Sequence, residues 1–176
     1  MAKILSFDTG ALNLGWAVID TEPELTLVGS GIIHTPKGPT ESHSAYLDRM
    51  VTDTTAFAPY FIGGIDPDEI VVERLPAILN NVQSSSARVM ITVWRVIACQ
   101  LGYNWREIAA NTVKLNLTGN GRASKVVVRN AVIATFPELE PRKKELTNPA
   151  DESDAIGIGI VASGYIHPSV KKKRNK

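Results

Sequence analysis

The alternation of hydrophobic and polar positions first predicts three β-strands, at Lys3–Asp8, Leu14–Asp20 and Leu25–His34. The connections between them are short and carry turn residues, as in Thr9–Asn13. Parallel neighbours would need crossovers of about a dozen residues or more. The three strands are therefore expected to form an antiparallel meander.

Helical periods then alternate with short strands. Apolar residues spaced three and four apart predict a helix from Tyr46 to Phe61, ended by Gly63-Gly64. The later predicted elements are a strand at Glu69–Glu73, a helix at Ser84–Leu101, a strand at Trp105–Ala109 and helices at Ala123–Thr135 and Asp151–Ile166. Loops are expected at Leu117–Gly121 and Pro137–Pro149. This order predicts an α/β fold: a mixed five-stranded sheet, three antiparallel strands followed by parallel ones, with helices on both faces.

Composition fits one soluble domain. The chain has 176 residues, 44% of them hydrophobic, and its longest apolar run is far shorter than the roughly 20 residues that span a bilayer. The N-terminus lacks the apolar core of a signal peptide, which predicts a cytoplasmic protein. The single cysteine, Cys99, excludes an internal disulfide and a cysteine-based zinc site, and is expected to lie in the core.

Charge is unevenly distributed. The net charge is +1, but five cations lie within the last six residues, and the rest of the chain carries 14 basic against 18 acidic groups. Residues 1–168 are expected to form the domain, and residues 169–176 a disordered basic tail. Such a tail is either simply solvated or an arm that contacts a polyanion.

Four acidic residues occupy positions where carboxylates are uncommon. Asp8 ends the first strand, Glu73 ends the fourth, and Asp151 and Asp154 open the last predicted helix. Each also has a purely structural explanation: a turn for Asp8, a solvated strand end for Glu73 and a helix cap for Asp151. The spacing of three puts Asp151 and Asp154 on one helix face, and the carboxyl ends of strands in an α/β sheet converge on one crevice. The four acids are thus predicted to meet.

Clustered carboxylates repel one another and need compensation. Mg²⁺ prefers oxygen ligands and keeps positions open for water and phosphate. Two such ions about 3.5–4 Å apart suit phosphodiester hydrolysis. The sequence therefore predicts a two-ion phosphodiesterase site with Mg²⁺.

Motifs over most of the chain resemble the RuvC-type Holliday-junction resolvases of the ribonuclease-H-like superfamily. They occur in the family's order: Phe7-Asp8-Thr9-Gly10 with Gly15, Val71-Val72-Glu73, Val113-Lys114, Thr118-Gly119-Asn120-Gly121-Arg122-Ala123-Ser124-Lys125 and Asp151-Glu152-Ser153-Asp154-Ala155. The resemblance implies a ribonuclease-H-like fold and a homodimeric endonuclease that depends on Mg²⁺, or on Mn²⁺ in its place. Such an enzyme nicks four-way DNA and leaves 5′-phosphate and 3′-hydroxyl ends. It implies neither a nucleotide cofactor nor membrane attachment.

The resemblance also assigns roles to residues. The four acids fall on the family's metal ligands, and Lys114 and Lys125 on its two functional lysines. Lys125 follows a Gly-x-Gly turn at a helix start, where phosphate is favoured, and is counted with the catalytic residues. The further predicted DNA contacts are Asn120, Arg122, Arg74, Lys171, Lys172, Lys173 and Arg174.

One position departs from the family pattern. Three residues after its strand glutamate the family commonly has an aromatic residue, and here that residue is Pro76. Without a ring to stack on a base, selectivity is expected to relax toward forks and flaps, as in phage-type members of the family. The chain is therefore expected to be a phage-type member. Leu75, Ile78 and Leu79 are packing residues, dimer contacts or an apolar wedge.

Three alternatives remain at this stage. An RNA-processing nuclease of the same fold would share the acids. A DNA-binding protein without catalysis would share the fold, but all four acids are present. Asp8-Thr9-Gly10 also resembles the phosphate loop of the actin and sugar-kinase superfamily. Those proteins need two such lobes, and this chain has the length of one.

Overall fold

The strands form one mixed sheet in the order β3-β2-β1-β4-β5. A computed structural model describes residues 2–10, 12–75, 82–147 and 149–174, without the side chains of residues 82–85 and 172–174. The strands are β1 (Lys3–Thr9), β2 (Asn13–Asp20), β3 (Thr26–His34), β4 (Glu69–Arg74) and β5 (Asn104–Ala109). The first three strands are antiparallel, and β4 and β5 run parallel to β1. The predicted sheet is confirmed.

Helices cover both faces of the sheet. They are α1 (His43–Ile65), α2 (Val82–Gln100), α3 (Ala110–Thr118), α4 (Lys125–Thr135), α5 (Asp151–Ala162) and α6 (Pro168–Arg174), with two 3₁₀ helices at Pro137–Arg142 and Glu145–Thr147. Helix α3 and the 3₁₀ helices were not predicted. Helix α3 is short and buries only Val113 and Leu117 on its inner face, too few apolar positions for a clear helical period.

Strand alternation divides the interior into two cores. In β1, Leu5 and Phe7 pack with α1 and α2, whereas Ile4 packs with α3, α4 and α5. In β4, Val72 belongs to the first core and Val71 to the second. Because side chains alternate between faces, every second residue of these strands points toward α5.

Two expectations from the sequence were wrong on the α1–α2 side. Helix α1 continues through Gly63 and Gly64 to Ile65, and ends at Asp66, which adopts a left-handed φ of 51°. The glycines do not end the helix because Ile65, which follows them, packs against the same core as the buried Ile62. Cys99 is exposed rather than in the core, since it lies on the outer face of α2 beside the buried Ala98.

Replacing Gly63 with alanine should stabilise the protein. A Cβ at this helical position would meet nothing within 4 Å. Alanine restricts the unfolded chain and favours the helix, so we expect a gain of about 0.5–1 kcal/mol in the free energy of unfolding. Urea denaturation checks this, with nuclease activity unchanged. A loss of stability would mean that α1 is not helical at this point.

The C-terminal segment is helical as far as Arg174. Helix α6 is held on the domain by Val170, which is buried. Among the described residues, no helix is both long and apolar enough to cross a membrane.

Candidate active site

The sheet itself brings two of the predicted acids together. Asp8 lies two residues after Ser6, whose hydroxyl donates to the Ala155 carbonyl of α5 at 2.8 Å, so Asp8 faces α5 too. Glu73 lies two residues after Val71 and points to the same side. Phe7 pairs with Val72 in the parallel register, which puts Asp8 and Glu73 next to each other at the carboxyl ends of β1 and β4.

Helix α5 brings the other two acids. It crosses this face of the sheet and contacts β1, β2 and β4. Its start comes so close to β2 that a Cβ on Gly15 would overlap the backbone carbonyl of Asp151 and lie 3.0 Å from the Glu152 nitrogen. A glycine at position 15 therefore sets the depth at which Asp151 and Asp154 enter the site.

Helices α3 and α4 complete a cleft of about 150 Å³. The ammonium group of Lys125, on the first residue of α4, lies 3.0 Å from Oδ2 of Asp154. The cleft is lined by Asp8, Glu73, Ala110, Val113, Lys114, Lys125, Val128 and Asp154. Five residues predicted from the sequence thus share one cleft. Asp151 does not line it, but its charge acts on Asp8.

The charges in the cleft are strongly coupled. Burial raises the pKa of Asp8 well above its usual range, and repulsion from Glu73, Asp154 and Asp151 adds to this effect. Burial also raises the pKa of Glu73, with a further contribution from Asp154. Burial alone would lower the pKa of Lys125, but attraction and hydrogen bonding to Asp154, together with attraction to Asp8 and Asp151, raise the pKa overall. The site thus holds an excess of negative charge that the two lysines offset only in part.

A polar residue that the sequence analysis missed contacts Asp151. The side-chain amide of Asn13 donates to Oδ2 of Asp151 at 3.1 Å. Its own carbonyl oxygen lies 2.9 Å from Nδ1 of His34, the residue opposite Asn13 in the β2–β3 pairing. This contact orients the amide so that its NH₂ faces the carboxylate. The signal in the sequence was an asparagine at the strand start beside the Asp8 turn.

A buried ion pair anchors the start of α5 from the other side. The Glu152 side chain is 6% exposed and lies 2.9 Å from an Arg142 guanidinium nitrogen. The Ser30 hydroxyl of β3 donates to the same carboxylate at 2.6 Å. Since Glu152 lies between Asp151 and Asp154 in the chain, these bonds fix the helix turn that carries both acids.

Removing the arginine should therefore destabilise the fold. The Arg142→Ala change leaves the buried Glu152 carboxylate without this cation, with the hydrogen bond from the Ser30 hydroxyl remaining. We expect a loss of about 2 kcal/mol, below the full value for a buried pair because Arg142 is 41% exposed. Lys143→Ala is the matched control, because its pair with Glu140 is exposed on both sides and contributes about 0.5 kcal/mol or less. Equal losses in thermal unfolding would show that the buried pair does not hold α5.

The other predicted DNA contacts lie outside the cleft. Asn120 and Arg122 are exposed in the turn between α3 and α4, where the Asn120 side chain accepts from the Arg122 backbone N–H at 3.0 Å. Arg74 pairs with Glu107 at 3.7 Å on the far side of β4. Lys171 is exposed on α6. Pro76, Ile78 and Leu79 lie outside the described residues, as do the side chains of Lys172, Lys173 and Arg174.

The donors in the cleft suit a divalent cation, although they are not in a coordinating arrangement. Among the described residues, no group of three or more His, Cys, Asp or Glu side chains is arranged to hold a metal ion. One contact accounts for this at Asp154, whose Oδ2 pairs with the ammonium group of Lys125. The carboxylate oxygens are nevertheless the ligands that hard divalent ions take. Such ions would relieve the repulsion that, added to burial, raises the pKa of Asp8.

The fold and the acids define a class of protein. A mixed sheet of this strand order, with acids at the carboxyl ends of its two central parallel strands and on a crossing helix, is the ribonuclease-H-like nuclease architecture. The family model described as crossover junction endodeoxyribonuclease RuvC matches residues 4–162. The chain belongs to this family of endonucleases.

Individual proteins agree with this assignment. Crossover junction endodeoxyribonuclease RuvC of Cereibacter sphaeroides is 26% identical over 168 residues, which cover 95% of this chain and 92% of that one. RuvC of Xanthobacter autotrophicus is 29% identical and covers 90% and 87% of the two chains. The structure of T. thermophilus RuvC in complex with Holliday junction substrate matches the fold with a TM-score of 0.73 at 19% identity and covers 97% of each chain. These relatives are bacterial, so the expectation of a phage-type member is not borne out.

Proposed function

We propose that this protein resolves four-way DNA junctions by divalent-metal-dependent phosphodiester hydrolysis. The observation that carries the proposal is the shared cleft of Asp8, Glu73, Asp154 and Lys125 at the carboxyl ends of β1 and β4. Family membership supports an endonuclease acting on crossover junctions. The products are expected to carry 5′-phosphate and 3′-hydroxyl ends.

The four acids would hold two Mg²⁺ ions, or Mn²⁺ in their place. Asp8 is the candidate ligand of both ions, because it lies close enough to the three other acids for the charge of each to raise its pKa. Glu73 and the Asp151–Asp154 pair would complete the ligand set. Bound divalent ions supply Lewis-acid activation of water and stabilise the charge of the leaving oxygen.

The lysines act on the phosphate. In the structure Lys125 pairs with Asp154, and the charge of Lys114 offsets part of the rise that burial causes in the pKa of Glu73. Once cations bind the carboxylates, both ammonium groups can pair with the scissile phosphate instead. Their positive charge would then stabilise the negative charge that develops in the transition state.

The two-fold symmetry of a four-way junction suggests a homodimeric enzyme. Two active sites related by a two-fold axis would cut symmetrical strands. Arg122 and Asn120, exposed at the turn before α4, are proposed to contact the backbone next to the cleft. Arg74 would contribute only after leaving Glu107.

Cleavage of an immobile four-way junction tests the proposal directly. The purified protein is incubated with Mg²⁺ or Mn²⁺ beside a linear duplex, a Y-fork, a flap and an RNA hairpin, with Asp8→Asn as the control. Paired symmetric nicks that vanish in the variant are expected. Comparable cutting of forks and flaps would support the relaxed selectivity expected from Pro76. Cutting of RNA alone would favour the RNA-processing alternative, and junction binding without any cleavage would favour the non-catalytic one.

Asn13 offers a further test of the metal site. The Asn13→Ala change removes the donor that orients the Asp151 carboxylate. Loss of such a supporting hydrogen bond lowers metal affinity by about tenfold to a hundredfold. The readout is the Mg²⁺ concentration at which thermal stabilisation reaches half its maximum. Thr26→Ala, at the remote end of β3, serves as the control, and an unchanged Mg²⁺ midpoint in Asn13→Ala would remove Asn13 from the metal site.

A further inference from the structure

The basic C-terminal segment is docked on the domain through the first residues of α6. The backbone N–H of His167 donates to the Asn116 carbonyl of α3 at 2.6 Å. Val170, one helical turn later, is 8% exposed. Nδ1 of His167 lies 2.8 Å from the Ser169 hydroxyl and accepts from the Ser169 backbone N–H at 3.3 Å. These contacts hold the start of the helix in one place.

The docking point is the turn between α3 and α4. Gly119 in this turn has a φ of +78°, and a Cβ there would overlap the Ser169 hydroxyl and lie 2.9 Å from Nδ1 of His167. The absence of a side chain at Gly119 therefore makes room for α6. The same turn exposes Asn120 and Arg122 and leads directly into Lys125 of the catalytic cleft.

The docked helix leads into a dense run of positive charge. Five of the last six residues are Lys or Arg, and the first of them, Lys171, is exposed. At a rise of about 1.5 Å per residue, the helix backbone at positions 171–174 stays within roughly 6 Å of Val170 along its axis. The helix backbone that carries this run thus begins beside the turn that exposes Arg122.

The geometry points to a phosphate-binding surface formed by α6 and the α3–α4 turn, which takes the sugar-phosphate backbone of a duplex arm of the branched DNA. This inference rests on the proposed function. Residues 1–170 carry 14 basic against 18 acidic groups, a net charge that repels a polyanion. Attraction must therefore come from local clusters of cations, and this cluster adjoins the turn that leads into the cleft. Backbone contacts of this kind do not depend on base sequence.

The test compares two pairs of charge-removing substitutions. One variant carries Lys172→Gln and Lys173→Gln. The matched control carries Lys143→Gln and Lys144→Gln, beyond the opposite end of α4. A third variant, Val170→Asn, keeps every charge and removes the apolar anchor. Binding to a four-way junction and to a linear duplex is measured by fluorescence anisotropy in EDTA over a series of salt concentrations.

The variant with Lys172→Gln and Lys173→Gln, called the tail pair, should bind DNA about tenfold more weakly at 100 mM salt. It should also reduce the slope of log affinity against log salt by about two. The affinity of this variant for the junction and for the linear duplex should fall by the same factor, because both DNAs offer the duplex arm that is contacted. The Val170→Asn variant should bind DNA about threefold more weakly, since the charges of α6 are no longer held in place. The control pair should lose less than twofold.

Two results would overturn the inference. Equal effects of the tail and control pairs would show that α6 does not contact DNA. Wild-type affinity in Val170→Asn would show that docking does not position the charges. The tail pair leaves Val170 in place, so it tests the charges even if the anchor variant folds poorly. A wild-type protein that neither prefers nor cuts junctions would instead refute the proposed function.

Discussion

The Asp8→Asn protein is expected to bind four-way DNA and to cut it roughly a thousandfold more slowly than wild type, the scale of removing a group that stabilises transition-state charge. The carboxylate is the proposed ligand of both ions, whereas the DNA contacts of Arg122 and Lys125 are left in place. Cleavage rates at saturating Mg²⁺, with binding measured in EDTA, give the two quantities separately. Asp53→Asn, on the exposed face of α1, is the matched control.

The same substitution should raise stability when no divalent ion is present. Burial and three neighbouring acids raise the pKa of Asp8 in the folded protein. Between the ordinary value of 3.8 and this raised value, the folded state holds more protons than the unfolded chain, so stability increases as the pH falls through the raised pKa. Wild-type protein in EDTA should therefore melt higher at pH 5.5 than at pH 7.5. Asp8→Asn should lose much of this dependence and melt higher than wild type at pH 7.5.

Divalent ions should favour the wild-type protein over Asp8→Asn. Binding to the folded state alone stabilises it in proportion to the logarithm of ion concentration above the dissociation constant. Mg²⁺ should raise the melting temperature of wild type more than that of Asp8→Asn. Equal shifts in the two proteins would remove Asp8 from the metal site, even if its substitution abolished cleavage.

Gly15→Ala should damage both stability and activity. Its Cβ would overlap backbone atoms of Asp151, which cannot rotate away as a side chain could. We expect a loss of about 3 kcal/mol, the upper part of the range for overpacking. The start of α5 must also move outward with Asp151 and Asp154, and a displacement of about 1 Å can slow a reaction a hundredfold.

Gly29→Ala is the matched control for this change. Gly29 lies in the neighbouring strand β3, and its Cβ would be 3.6 Å from the Trp16 ring, an ordinary contact. We expect a change within about 1 kcal/mol and full activity. Denaturant unfolding and junction cleavage are measured on both variants. A Gly15→Ala protein as stable and active as Gly29→Ala would show that the close approach of α5 to β2 is not needed.

Local patterns in the sequence were enough to predict the sheet. Alternating apolar residues and short turns specify β1 to β3, because a two-residue period and a tight connection are properties of adjacent positions. The acids Asp8, Glu73 and Asp154 could be chosen for the same kind of reason, since each stands where an apolar strand ends or a helix begins. Lys125 followed from the Gly-x-Gly turn and the helix start.

Tertiary structure decided the contacts between distant segments. The Asn13–Asp151 and Arg142–Glu152 contacts join residues whose pairing has no local pattern. Helix α6 forms because Val170 finds a buried site beside the α3–α4 turn, while its run of cations alone favours disorder. Helix α1 continues through two glycines because its inner face remains packed. The sequence by itself determined the strands and the residue types expected in the cleft, because both depend on patterns among neighbouring residues. Which side chains hold that cleft in place was decided only when the folded chain brought distant residues into contact.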